Sequence, residues 1–300
     1  MAHLPPSTFH LPPPILPPYI MDSSFTEENS FVSFERLFDG YQHHRFSSLS
    51  QLKSLLRSRQ AALYEDKTRE QFVVVSKFPP SSLSKLDENF FKFVRLSYNK
   101  NTQLAVFKVM YGTAHELACR EFLYCIYDEL TAMNVMRELD SLGTSTVTIG
   151  NWTKQADECW APKAQDTNLR VIFEIGLSES SRHLAMDARG WLETQGSTIE
   201  LAITMIVDQS NPSITIQLWE KDVRQYNIRT RNRPEQAYCV QEMTIVHQNN
   251  GTIVSQNLVL PFKAFLGRDP QDAIERDLIL TRSRLQTLAE DIWRKQRFIN

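Results

Sequence analysis

Glycine is scarce: only 9 of the 300 residues are Gly. A glycine-rich loop cradling phosphates is therefore not expected, and neither a P-loop nor a dinucleotide fingerprint occurs. Cysteine is scarcer still. The 4 cysteines, Cys119, Cys125, Cys159 and Cys239, form no CxxC pair, which argues against a zinc knuckle. They read as reduced, mostly buried thiols of an intracellular protein. No charge is in surplus: 33 Lys and Arg face 35 Asp and Glu, for a net charge of −2. The overall basic signature of a dedicated nucleic-acid binder is absent, so any DNA or RNA contact has to come from a local patch. No apolar run approaches the roughly 18 residues of a membrane span, and no basic leader precedes an apolar stretch. The expectation is an intracellular protein with no membrane partner, in cytoplasm or nucleus.

Proline, by contrast, is concentrated. Seven of the 14 prolines fall in the first 20 residues, in "LPPSTFHLPPPILPPYI". Residues 1–30 read as a disordered tail with polyproline character, either a solvated leader or a PxxP ligand at Pro14–Pro17. The chain as a whole is 42% hydrophobic and 23% charged, enough for a sizeable core. Residues 31–300 read as one folded unit, with a core at about 90–222 and a C-terminal hairpin and helix at 235–298.

Periodicity predicts the elements. "SLSQLKSLLRSRQAAL" reads as a short helix, followed by the strand "EQFVVVSKF". A hairpin, "FFKFVRLSYNKNTQLAVFKVMYG", turns at Asn99-Lys100-Asn101. Residues 114–142 form the longest helical pattern, with Cys119, Leu123, Ile126, Leu130 and Met133 on the inward face and Gly143 as the stop. Three extended pieces follow: "TSTVTIG", "KQADECWAP" and "LRVIFEIG". A helix at 180–194 and two more strands, "IELAITMIVD" and "SITIQLWEK", complete the core. This order predicts an α/β fold, a central mixed sheet flanked by helices. A second hairpin is expected around "HQNNGT". A last helix over about 271–297 carries a stripe of Ile274, Leu278, Leu285, Leu288 and Ile292. That stripe either packs against its own domain or serves a protein partner.

The charged residue that most needs explaining is Glu174, in "VIFEIGLSES". Alternation places Ile172 and Glu174 on one face of an apolar strand. An ionised carboxylate there is costly unless it is paired or holds a metal. Asp157, in "QADECW", lies on the neighbouring extended piece, so the two acids can converge on one Mg²⁺ or Mn²⁺ through hard oxygen ligands. Glu116, at the start of the long helical stripe, either joins them as a third ligand or simply favours its helix N-terminus. Ser178 or Ser180 reads as a helix cap, with Glu179 an alternative extra ligand. Arg224, Arg229, Arg231 and Arg233 crowd one loop that either grips phosphates or is solvated. His115 and His183 read as isolated histidines without a catalytic partner.

Helix with an acid, hairpin with Asp157, strand with Glu174, then helix and strand: this order resembles the restriction-endonuclease-like, PD-(D/E)xK fold. "QADECWAP", "RVIFEIGLSES" and "LAMDARGWL" also resemble a fungal protein family suspected of belonging to that superfamily, and the E-x-x-S strand exit is similar to Uma2-type domains. The resemblance covers about residues 90–295. It implies a core of αβββαββ order and Mg²⁺-dependent hydrolysis of nucleic acid, with Asp157 and Glu174 as metal ligands. Ala156 stands where the pattern has proline, and Gly176 where it has the lysine that stabilises developing negative charge. Arg189 and Lys154 are the replacements the sequence offers. The competing expectation is an inactive nuclease-like fold that binds a partner through its last helix or its proline tail.

Overall fold

The computed structural model describes residues 38–300, except 66, 69, 87–89, 91, 111, 164–167, 178–180, 222–235 and 250. The proline-rich segment 1–30, Ser178-Glu179-Ser180 and the arginine-rich loop at 224–233 therefore lie outside the described residues.

The chain builds two main sheets. The first has six strands: β1 (His43–Arg45), β2 (Phe72–Ser76), β3 (Val94–Asn99), β4 (Leu104–Val109), β6 (Thr146–Ile149) and β7 (Trp152–Gln155). Its order is β1-β2-β4-β3-β7-β6. Helix α1 (Leu49–Tyr64) covers one face, burying Leu52, Leu56 and Leu63 against Val73, Val75, Leu96 and Phe107. Its first turn is capped by the Ser48 side chain, which accepts from the Gln51 N–H.

The second sheet has seven strands and is mixed. It takes in β5 (Leu139–Ser141), β8 (Glu158–Pro162), β9 (Val171–Leu177), β10 (Leu201–Val207), β11 (Ser213–Lys221), β12 (Ala237–Gln248) and β13 (Gly251–Val254). Its order is β13-β12-β11-β10-β9-β8-β5. β9 and β10 run parallel, joined through helix α3 (Ser181–Glu193), and the other pairs are antiparallel. α3 lies on one face, where Ala188, Trp191 and Leu192 meet Ile172, Ala202 and Cys159. The opposite face carries helix α2 (Thr113–Ala132) and the C-terminal elements, with Phe122 stacked on Phe173 at 4.4 Å between ring centroids. Those C-terminal elements are a small sheet of β14 (Leu258–Leu260) and β15 (Leu278–Leu280), the short helix α4 (Phe262–Leu266) and helix α5 (Arg282–Gln296). Both faces of the central strands are thus covered, which is why β9 reads as an almost unbroken apolar run.

The α/β class and the mixed central sheet are as expected, but several boundaries move. The long helix ends at Ala132, not near 142. Asn134 takes a left-handed φ of 60°, and the Val135 N–H returns to the Leu130 carbonyl, closing the helix well before Gly143. "LDS" then becomes the edge strand β5. The buried face of α2 is His115, Ala118, Phe122, Cys125, Ile126 and Leu130, rotated from the expected stripe and turning Glu116 outward. Five strands, not three, separate α2 from α3, because β5 replaces the end of the expected helix and "KQADECWAP" divides into β7 in the first sheet and β8 in the second. The last helix starts at Arg282. Thr281, which interrupts the apolar stripe, is its N-cap; Leu278 is in a strand and Ile274 is 48% exposed. Leu285, Leu288, Ala289, Ile292 and Trp293 are buried in the chain's own core, so the apolar side of this helix is occupied. Among the described residues no helix is long and apolar enough to cross a membrane.

Candidate active site

The two sheets meet where one chain passes between them. β7 ends at Gln155 in the first sheet, Ala156 and Asp157 follow, and β8 begins at Glu158 in the second. β9 outruns this partner. Glu158 pairs with Phe173, and the Asp157 N–H still reaches the Phe173 carbonyl at 3.1 Å. Beyond that point the edge of β9 has lost its strand neighbour, and buried backbone groups need other partners. Side chains supply them. The Ile175 N–H donates to Asp157 Oδ2 at 2.8 Å, Lys108 Nζ donates to the Ile175 carbonyl at 2.8 Å, and Gln71 Nε2 donates to the Leu177 carbonyl at 2.9 Å.

Asp157 is fully enclosed. Besides the Ile175 amide, its Oδ2 meets His115 Nε2 at 3.2 Å, and its Oδ1 lies 3.1 Å from Arg95 Nε. That Oδ1 is buried and accepts no aligned hydrogen bond among the described residues. Burial pushes the carboxyl up, but the charge and hydrogen bond of His115, with Lys108 and Arg95, outweigh it and hold Asp157 well below the usual carboxylate range. Glu174, on the adjacent strand, faces α3. Its Oε1 accepts the Trp191 indole N–H at 2.7 Å. Burial raises this carboxyl well above its ordinary value, and the negative charges of Asp187 and Asp157 raise it further, against the pull of Lys108 and Lys154.

A cleft of about 20 Å³ opens beside Glu174 between the sheets, with Arg95, Lys108, Gln155 and Asp187 among its lining residues. That is room for about one water-sized occupant. Phe38, Phe72 and His183 close it on one side, with the Phe38 and His183 rings stacked at 5.8 Å.

Asp157, Glu174 and Lys154 are all buried, and the charges of Asp157 and Lys154 act on Glu174, whereas Glu116 and Arg189 turn elsewhere. The Glu116 carboxylate is 64% exposed and its Oε1 comes only within 3.9 Å of His115 Nδ1, so the inward residue of that turn is the histidine. Arg189 pairs with Glu193 four residues along, at 2.7 Å. Lys154 is buried under α3, 2.8 Å from Asp187 Oδ1 and 4.8 Å from the centroid of the Trp191 ring. Among the described residues, no group of three or more His, Cys, Asp and Glu side chains could hold a metal. The neighbouring acid Glu158 has a structural task, accepting from Ser141 Oγ and the Gly143 and Cys159 amides.

No family model matches the chain, and no curated protein matches it. Among solved structures it is similar to a candidate nuclease of the DUF820 group from Anabaena variabilis, at 11% identity over 65% of this chain and 90% of that one, with a TM-score of 0.35. A likeness this weak says nothing about activity, so the chemistry has to be read from the chain's own residues.

Sequence reasoning missed Arg95, Lys108, His115 and Trp191. A signal for two of them was present. In the β3–β4 hairpin Arg95 stands directly opposite Lys108, two like charges on one face, which is destabilising unless acids lie nearby. The hairpin was legible, but the acids it needs are contributed by a different sheet.

Proposed function

We propose that this cluster is a nuclease-type phosphodiester site acting on nucleic acid, in which Asp157 and Glu174 hold one Mg²⁺ or Mn²⁺ and Lys108 does the work of the lysine absent at Gly176. The observation that carries the reading is the placement of the Lys108 ammonium against the carbonyl of Ile175, the residue that follows Glu174, though the lysine comes from another sheet. The donor set fits one hard cation of this kind: Mg²⁺ is commonly held by one or two carboxylates with waters completing its shell. The buried, unaligned Oδ1 of Asp157 and the repulsion between the acids support the fit. When bound, such an ion would lower the pKa of a coordinated water and stabilise a leaving oxygen. Lys108 would neutralise charge developing on the phosphoryl oxygens, with Arg95 beside it. Lys154 and Arg189, committed to Asp187 and Glu193, are not the lysine replacement in this reading.

The test uses labelled single- and double-stranded DNA and RNA with Mn²⁺ or with EDTA. Metal-dependent cleavage by the wild type, lost in Glu174→Ala and Lys108→Met, is expected. Mn²⁺ should also raise the melting temperature of the wild type and not of Glu174→Ala. No cleavage together with no melting shift sinks the reading.

One observation favours a second reading, an inactive nuclease-like fold that binds partners. Asp157, Lys108 and Gln71 together complete the hydrogen bonding of the β9 edge, a structural task sufficient to keep them without catalysis. In that case a partner would use surfaces other than the buried side of α5. The proline-rich segment, outside the described residues, is one candidate.

A further inference from the structure

Trp191 touches two parts of the site at once. Its indole N–H donates to Glu174 Oε1 at 2.7 Å, and the Lys154 ammonium lies 4.8 Å from its ring centroid. The ring is 1% exposed. One helical turn earlier, Asp187 Oδ1 holds the same ammonium at 2.8 Å. Gly190 also lies against Lys154: a Cβ there would stand 3.4 Å from Nζ, an ordinary contact distance. Helix α3 therefore carries a sequence of contacts from Asp187 to Lys154 to Trp191 to Glu174.

We infer that Trp191 is a positioning residue that fixes which oxygen of Glu174 is offered to a divalent cation. This inference rests on the metal-site reading above. An indole N–H is a donor only and cannot itself ligate a cation. By taking Oε1 it holds the carboxylate in one rotamer and leaves Oε2 as the oxygen available to an ion. The Lys154 cation over the ring face keeps the indole from tilting, through a cation–π contact in a desolvated place. Hydrogen-bonding groups that orient metal ligands from behind typically matter by ten- to a hundredfold in metal affinity. The motif that supplies the geometry is "LAMDARGWL", in which Asp187, Gly190 and Trp191 fall on the side of α3 that faces Lys154.

The experiment is Mn²⁺ binding to the full chain, followed by the electron paramagnetic resonance of free Mn²⁺, in the wild type, Trp191→Phe and Trp191→His. Phenylalanine keeps an aromatic ring and removes the N–H. Histidine restores an N–H on a five-membered ring. The Phe variant should bind Mn²⁺ about tenfold or more weakly than the wild type, and the His variant should recover most of that loss. Should the Phe variant fail to fold by circular dichroism, the His variant decides alone: affinity within about threefold of the wild type is expected, and a loss as large as that of Glu174→Ala overturns the inference. A folded Phe variant that binds Mn²⁺ as tightly as the wild type also overturns it, even if its melting temperature falls, because the indole is then only core. A wild type that binds no Mn²⁺ overturns the metal-site reading and this inference with it.

Discussion

Arg95 and Lys108 stand directly opposite each other in the β3–β4 hairpin, yet each reaches into the other sheet: Arg95 to Asp157 Oδ1 at 3.1 Å, Lys108 to the Ile175 carbonyl at 2.8 Å. Three cations, Arg95, Lys108 and Lys154, thus face three acids, Asp157, Glu174 and Asp187, across a junction that the chain crosses at Ala156 and Asp157. The first sheet supplies part of the candidate site, and removing its side chains should be felt there.

Lys108→Met tests this at the level of stability. The methionine fills similar volume but leaves the Ile175 carbonyl without its donor. An unsatisfied buried polar group costs about 1–3 kcal/mol, so urea denaturation should show a loss of that order. A variant as stable as the wild type would mean that water or another side chain replaces the ammonium.

Glu116 and His115 are neighbours with opposite expectations. Glu116→Ala, at a carboxylate 64% exposed, should change stability by no more than about 0.5 kcal/mol and leave Mn²⁺ binding intact. His115→Ala removes a buried partner of Asp157 and should destabilise clearly, by about 1–3 kcal/mol. Thermal and urea melts of the two variants side by side make the comparison; equal losses would return Glu116 to the site.

Helix α5 should behave as core. Leu288, 1% exposed, sits in the cluster shared with α2 and the second sheet. Leu288→Ala should cost about 2–5 kcal/mol, as large-to-small core changes do. If the variant instead keeps its stability while sedimentation shows a change of oligomeric state, the helix belongs to an interface between chains.

The segment after α4 offers a pH test. Glu275 accepts from Arg268 and from the Gln271 amide, which lower its pKa to about 2 from the usual carboxylate range. A carboxyl depressed in the folded state contributes stability that is present above its unfolded pKa, about 4.3, and lost as pH falls through the folded value. Between about pH 4.5 and pH 2 the amides near 268–275 should lose hydrogen-exchange protection in the wild type. In Glu275→Gln the protection should already be reduced at neutral pH and change little over that window. Identical profiles would remove Glu275 from the account.

Much of this fold was legible locally. The β3–β4 hairpin, α1, the strands 201–207 and 213–221, and α3 follow from alternation, three-four periodicity and capping, which act between residues near in sequence. Glu174 announced itself because a lone carboxylate in an apolar strand is costly wherever that strand packs. The helix ends were less legible. Asn134 as a left-handed stop and Thr281 as a cap depend on backbone conformations that composition alone does not select.

Which charges meet was decided only by the tertiary structure. Nothing within the hairpin says that Lys108 will satisfy Ile175, 67 residues away, or that Arg95 will face Asp157. The reason is the parting of β8 from β9. Where one strand leaves for another sheet, the backbone it abandons must be hydrogen-bonded by whatever side chains the second sheet presents. The residue types were set by the sequence, while their pairing followed from how the two sheets are joined at Ala156 and Asp157.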